Sequence, residues 1–232
     1  MENIIEKMQK AGVMFGYSKT RRHPSTTPYI GGSKSRTDLF DLAKIKEKLE
    51  NAKKFVTNVA SEGGYILFVG TKPECRQIVE SAAKSLVLPY VSIRWIGGTL
   101  TNWAEIKKRI ERFKELTKLK ESGEIESKYT KKERALFDRE IARLESNFGG
   151  IVDMEKKPAA LFIVDTKEEI TAVREAKSLK IPIVSLSNSD CDLKEVDYPI
   201  PGNDAATSSI RLIVDEITEA FKEGHAKVKT EG

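Results

Sequence analysis

Two cysteines, Cys75 and Cys191, and two histidines, His23 and His225, are all that 232 residues offer for disulfides, zinc or proton relay. Two thiols cannot build a disulfide framework, so the chain reads as one for a reducing cytoplasm. Neither has a second thiol or a histidine close by in sequence, which leaves no structural zinc site. A catalytic Cys–His pair would have to join Cys75 to one of two distant histidines. The Gly-x-Ser-x-Gly elbow of serine hydrolases is missing, as are Gly-x-x-x-x-Gly-Lys-Ser/Thr and Gly-x-Gly-x-x-Gly. No apolar run approaches the roughly 20 residues that cross a bilayer. The N-terminal MENIIEKMQKAG carries acids early and no long apolar stretch, so it does not read as a secretory signal.

The most local absence is that of negative charge. From Val13 to Thr37 there is no Asp or Glu, while Lys19, Arg21, Arg22, Lys34 and Arg36 all fall there. The imbalance continues on a larger scale. Residues 1–54 hold 12 Lys+Arg against 6 Asp+Glu, residues 105–150 hold 13 against 10, and residues 151–206 hold 7 against 11. A chain basic at its front and middle and acidic further on suits a polyanion on one side. The segment FGYSKTRRHPSTTPYIGGSKSR (15–36) shows no periodicity and carries three glycines and two prolines, so it reads as a long basic loop over 15–37. Tyr17, Tyr29 and Ile30 give it apolar anchors. Cations separated by glycine, hydroxyl and proline suit phosphate contacts.

Beyond the loop, Leu42, Ile45, Leu49, Ala52 and Val56 predict a helix from about Asp38 to Ala60. YILFVG (65–70), Tyr90–Trp95, AALFIVD (159–165) and IPIVSL (181–186) read as buried strands, and helices are expected at Pro73–Leu86, between the last two strands, and from about Ala206 to Glu223. Thr166 and Glu169 have the spacing of a capping box. Strands alternating with helices predict an α/β fold, a Rossmann-like or flavodoxin-like parallel sheet with helices on both faces. Between Thr101 and Phe148 the alternation stops. Ile106, Ile110 and Phe113, then Phe137, Ile141, Leu144 and Phe148, form two narrow stripes, and Thr130 with Glu133 makes another capping box. These predict an inserted antiparallel coiled-coil hairpin at 105–148, with packing of both helices on the sheet as the alternative. The expected division is an α/β core of 1–104 and 149–225, the hairpin, and a tail of 226–232.

Three places compete for a ligand. Gly70-Thr71-Lys72 joins a strand to a helix, where an anion could rest, and supports an alternative reading as a small-molecule or nucleotide-binding protein. A glycine in that turn has a purely structural explanation too. Asp190, Asp192 and Asp197 could gather magnesium, or simply cap turns. In RWIGGTLTNW (94–103), Gly97-Gly98 allows a sharp turn, and Thr101 or Asn102 can cap the next helix, with Glu105 completing a box. Trp95 and Trp103 suit core packing or base stacking equally.

FGYSKTRRHP…PYIGGSKS, ILFVGTK, RWIGGTLTNW, LFIVDTKEE and IPGNDAATSSIRL together resemble the ribosomal protein S-two family, over about Met8 to Phe221 and in its bacterial form. That resemblance implies a non-enzymatic, cofactor-free Rossmann-like scaffold with a helical hairpin, in the cytoplasm within the small ribosomal subunit. It implies contacts with small-subunit (16S) rRNA and with other small-subunit proteins, and help in recruiting the mRNA-binding protein S-one, with no membrane or small-molecule substrate. The candidate RNA contacts are Lys19, Arg21, Arg22, Lys34 and Arg36 of the loop, Arg94 and Asn102 of RWIGGTLTNW, and Lys107, Lys108, Arg109 and Arg112 at the hairpin base. The family typically has Gly-His-Gln-Thr-Arg-Arg-Trp-Asn-Pro where this chain reads Gly16-Tyr17-Ser18-Lys19-Thr20-Arg21-Arg22-His23-Pro24. The arginine pair is kept, while Tyr17 and His23 depart from the pattern. After IPGND the family often has a second acid and then an arginine, where this chain has Ala205-Ala206-Thr207.

Overall fold

The computed structural model describes residues 3–231, with side chains through Lys227. Five parallel strands, β4 (Ile66–Val69), β5 (Tyr90–Val91), β6 (Ala160–Val164), β7 (Ile183–Ser187) and β8 (Tyr198–Pro201), lie in the order β5-β4-β6-β7-β8. This is the flavodoxin-like order, with its switch point between β4 and β6. Their apolar runs are continuous because both faces are covered. Ile66, Phe68, Phe162 and Val184 face α2 (Leu42–Ser61), α3 (Pro73–Leu86) and α8 (Thr207–Glu231). Leu67, Val69, Leu161 and Ile163 face α7 (Ile170–Ser178) and the base of the helical insertion. The expected α/β architecture is what the chain adopts.

Several boundaries moved for identifiable reasons. Helix α2 starts four residues later than Asp38, because Thr37–Phe40 pairs as a strand and the Asp41 carboxylate caps the helix through the Ala43 N–H at 2.9 Å. Only Tyr90 and Val91 of the expected Tyr90–Trp95 strand are paired, since the following residues are drawn out of the sheet by contacts described below. Strand β8 was hidden by Pro199 and Pro201, which an edge strand tolerates. Helix α8 passes through Gly224 instead of stopping, because a Cβ there would collide with the Thr57 carbonyl of α2; the glycine marks close packing. The tail expected at 226–232 therefore belongs to α8 as far as Glu231, and Gly232 lies outside the described residues. At the other end a short helix, α1 (Ile4–Ala11), buries Met8.

Helices α4 (Trp103–Glu121) and α6 (Lys131–Phe148) run antiparallel, joined through α5 (Glu124–Lys128). Arg112 reaches Glu140 at 3.5 Å and Lys120 reaches Asp138 at 2.6 Å. The Thr130–Glu133 capping box forms as expected. Ile106, Ile110, Leu144 and Phe148 join the core cluster of the sheet, while further out Tyr129 meets Phe137 edge-on, 4.9 Å between centroids. The Thr166–Glu169 box does not form. Thr166 bonds Ser187 at 3.2 Å, and Glu169 turns away to Thr71, so α7 opens without a side-chain cap.

Candidate nucleic-acid interface

The acid-free segment is not a loop. It folds as a three-stranded antiparallel sheet of β1 (Phe15–Ser18), β2 (Ile30–Lys34) and β3 (Thr37–Phe40), in the order β1-β3-β2, with 3₁₀ turns at Lys19–Arg21 and Pro24–Tyr29. The β2–β3 hairpin turns on Ser35 and Arg36, both left-handed at φ 49° and 68°. That is the geometry of a type I′ turn without its usual Asn-Gly or Asp-Gly, so the strongest hairpin signal was missing.

This small sheet is docked on the carboxyl ends of the main sheet. The Ser189 hydroxyl accepts the Tyr17 N–H at 2.8 Å, and the Ser189 carbonyl accepts from the His23 N–H at 2.8 Å and the Thr26 hydroxyl at 3.0 Å. The Ser25 hydroxyl accepts the Leu193 N–H at 2.9 Å. Behind it, Asn203 bonds the backbone of Gly12 and Val13. A flavodoxin-like sheet keeps its ligand crevice at this switch point. Here the chain's own groups close it. Glu169 holds the Thr71 N–H at 2.8 Å, and the Lys72 ammonium lies 2.5 Å from Asp165 and 3.3 Å from Asp204. Burial works against the Lys72 charge, yet these two carboxylates hold its pKa above the ordinary lysine value. The Asp204 pKa is also raised, to about 6, by burial and the neighbouring Asp165. The Cys75 thiol, buried at the start of α3, is pushed up to about 12 by burial and by Glu169, which leaves it unreactive at neutral pH.

The three aspartates expected to gather magnesium do not converge. Asp190 pairs with Lys167 at 2.8 Å, Asp192 caps a turn through the Lys194 N–H, and Asp197 accepts the Ile183 N–H at 2.9 Å. Among the described residues the set that does converge is Asp165, Cys191 and Asp204, and Lys72 already supplies a cation to both of its carboxylates.

RWIGGTLTNW is held by a residue that no motif singles out. The Glu175 carboxylate, buried on α7, accepts five hydrogen bonds: from the Trp95 indole (3.0 Å), the N–H groups of Gly98 (2.7 Å), Leu100 (2.9 Å) and Thr101 (3.1 Å), and the Thr101 hydroxyl (3.1 Å). Gly98, at φ 91°, makes the turn possible. Burial pushes the Glu175 pKa up, but the Trp95 and backbone donors outweigh it and leave the carboxylate below its ordinary range. A backbone cradle able to take a phosphate thus holds an internal carboxylate. Trp95 is core, and Asn102 makes no side-chain cap. Glu105 pairs instead with Lys108 at 2.6 Å.

The candidate cations divide accordingly. Lys19, Arg21, Lys34 and Arg36 are exposed on the small sheet, with the Arg21 guanidinium 5.6 Å from the Tyr17 ring centroid. Arg22 is different: both oxygens of Asp38, which has no exposure, bind its guanidinium, the Nε contact at 2.6 Å. It braces the sheet through this pair, unlike the four exposed cations. Arg94 and Asn102 are exposed beside the Glu175 cradle. On α4, Lys107 and Arg109 are exposed without an ion pair among the described residues, whereas Lys108 is paired and Arg112 lies 2.9 Å from Glu115 as well as near Glu140.

An α/β sheet with its crevice sealed from within, and its exposed cations on an attached small sheet and a helix, is the arrangement of a scaffold for binding. The comparisons agree. The family model for ribosomal protein S2 matches residues 8–224, and the chain belongs to that family, whose members are structural proteins of the ribosome, not enzymes. It is 41% identical over 220 residues to the small ribosomal subunit protein uS2 of Coprothermobacter proteolyticus, covering 95% of this chain and 82% of that one. Similar proteins of the same name occur in Fusobacterium nucleatum (40% over 225 residues, 97% and 91% covered) and Brucella anthropi (41% over 223 residues, 96% and 86% covered).

Proposed function

We propose that this chain is a structural component of the cytoplasmic small ribosomal subunit, where its small basic sheet lies against 16S rRNA. The observation that carries this is the exposure of Lys19, Arg21, Lys34 and Arg36 on a sheet that is itself pinned, through Ser189 and the Arg22–Asp38 pair, to the rigid core. Cations fixed in advance can meet phosphates without first being ordered. Arg94 and Asn102, and Lys107, Lys108, Arg109 and Arg112 at the base of the helical pair, form a second line of contact; Lys108 and Arg112 exchange an internal carboxylate for a phosphate. The α/β core of 1–104 and 149–225 acts as the rigid body, and the 105–148 helices act as a coiled-coil arm that spans to further rRNA or protein. Neighbouring small-subunit proteins, and recruitment of the mRNA-binding protein S-one, complete the role; what supports this last element is the family resemblance. No specific observation favours nucleotide binding at Gly70–Lys72, whose polar groups are committed internally.

Co-sedimentation of the full chain with small subunits lacking it tests the reading. Association should weaken steeply between about 50 and 200 mM salt, and the combined Arg21→Ala, Lys34→Ala and Arg36→Ala variant should lose it at the higher salt. Equal association of variant and wild type would overturn it.

A further inference from the structure

A second surface extends from the small sheet along α2. Lys48 lies 5.6 Å over the Tyr29 ring, and the Lys44 ammonium donates to the Pro28 carbonyl at 2.6 Å, so the start of α2 lies against the 3₁₀ turn Pro24–Tyr29 that leads into β2. From there Lys48, Asn51, Phe55 and Asn58, at three- and four-residue spacing, share one helical face. Together with Lys54 they line a groove of about 390 Å³ against the edge strand β8. Its wall is a stacked aromatic pair, Phe55 and Tyr198, with centroids 4.1 Å apart and planes 14° from parallel. Among the described residues the two carboxamides, the Tyr198 hydroxyl and both ammonium groups have no protein partner beyond the Lys48–Tyr29 contact. The groove holds one carboxylate, Asp197, and one of its oxygens already accepts the Ile183 N–H. Lys53, on the neighbouring face, is neutralised by Glu216 at 2.5 Å.

We propose that this α2–β8 groove binds a single-stranded RNA segment that continues from the basic sheet, with Lys48 and Lys54 on phosphates, Asn51 and Asn58 on base edges, and a base against the Tyr198–Phe55 stack. Aromatic walls flanked by cations and by free donors and acceptors are what unpaired bases require, whereas a duplex keeps its bases stacked out of reach. An acidic peptide would satisfy the lysines but leave the amides and the stacked rings unused. The proposal rests on the RNA-binding reading above.

The test is fluorescence anisotropy of the full chain with a labelled mixed-sequence RNA of about twelve nucleotides, single-stranded or as a blunt duplex. Lys48→Ala with Lys54→Ala should lower the single-strand salt slope by about 1.4, or 0.7 per phosphate, and leave duplex binding unchanged. Asn51→Ala with Asn58→Ala, on an exposed helix face that does not need them to fold, should weaken single-strand binding at least threefold. Tyr198→Leu should weaken it at least about fivefold, the lower limit for loss of one base stack. Equal losses on duplex and single strand, no loss on either, no binding of the single strand by the wild type, or equal competition by a polyglutamate peptide would each overturn the groove. If the groove alone is wrong, co-sedimentation with small subunits persists. If the wider reading is wrong, co-sedimentation is lost as well.

Discussion

Arg22 and Arg21 are adjacent, and the structure gives them opposite work. Arg22 neutralises Asp38, a carboxylate without solvent exposure, while its own side chain keeps 20%. Removing one partner of a buried pair costs about 3–5 kcal/mol, and Arg22→Ala should fall near the lower end because water reaches the guanidinium. Urea unfolding would read the loss. Arg21→Ala should leave stability within about 0.5 kcal/mol and instead reduce the salt slope of RNA association by nearly one unit, the worth of one phosphate. Glu175 makes a sharper case. Glu175→Ala strips the Gly98, Leu100, Thr101 and Trp95 donors of their acceptor, and should cost about 3 kcal/mol or more, since each buried unsatisfied group costs about 1–3 kcal/mol. Its pH behaviour follows from sign. Because the folded state holds this carboxyl below its ordinary value, its stabilisation is present above the unfolded pKa of about 4.3 and is lost as pH falls through the lower folded value. Glu175→Gln should flatten that acid limb in pH-dependent unfolding.

At the scale of elements, the sealed crevice and the small sheet depend on each other. Lys72 balances Asp165 and Asp204, and the turn after β7 that carries Ser189 receives the small sheet through the Tyr17, His23 and Thr26 bonds. Lys72→Met leaves two buried carboxylates facing one another without their cation, so a loss of about 3–5 kcal/mol is expected. In the Lys72→Met variant, hydrogen exchange should accelerate in β1–β3 more than in β6, and unchanged exchange of β1–β3 would contradict this coupling. The parallel sheet was legible because its strands are unbroken apolar runs, and the helical pair because its stripes keep helical spacing and Thr130–Glu133 closes a true box. The small sheet was not, because its hairpin turns on Ser35-Arg36, and its register depends on Asp38 and Ser189, distant from it or outside the basic run. Charge alone could not tell Arg22 from Arg21, since only the fold brings Asp38 beneath one of them. Glu175 was invisible for the same reason: its partners lie some 75 residues away in sequence.

For the whole molecule, an enzyme-like architecture is used as a mount. Sealing the switch point with Lys72, Glu169 and Asp204 removes the natural ligand site, and the same end of the sheet carries the cationic element. The acid-rich 151–206 stretch spends much of its charge internally, since Asp165, Glu169, Glu175 and Asp204 are all buried. Preorganisation distinguishes this picture from a flexible basic tail, because the contacts exist before the partner arrives. The most direct measurement is the logarithm of the association constant with small subunits plotted against the logarithm of salt, for wild type and for Lys19→Ala, Arg21→Ala, Lys34→Ala and Arg36→Ala combined. The account predicts a slope shallower by about 3 units in the variant, at 0.7–0.9 per phosphate, with unfolding free energy unchanged. Parallel lines for the two proteins would contradict it.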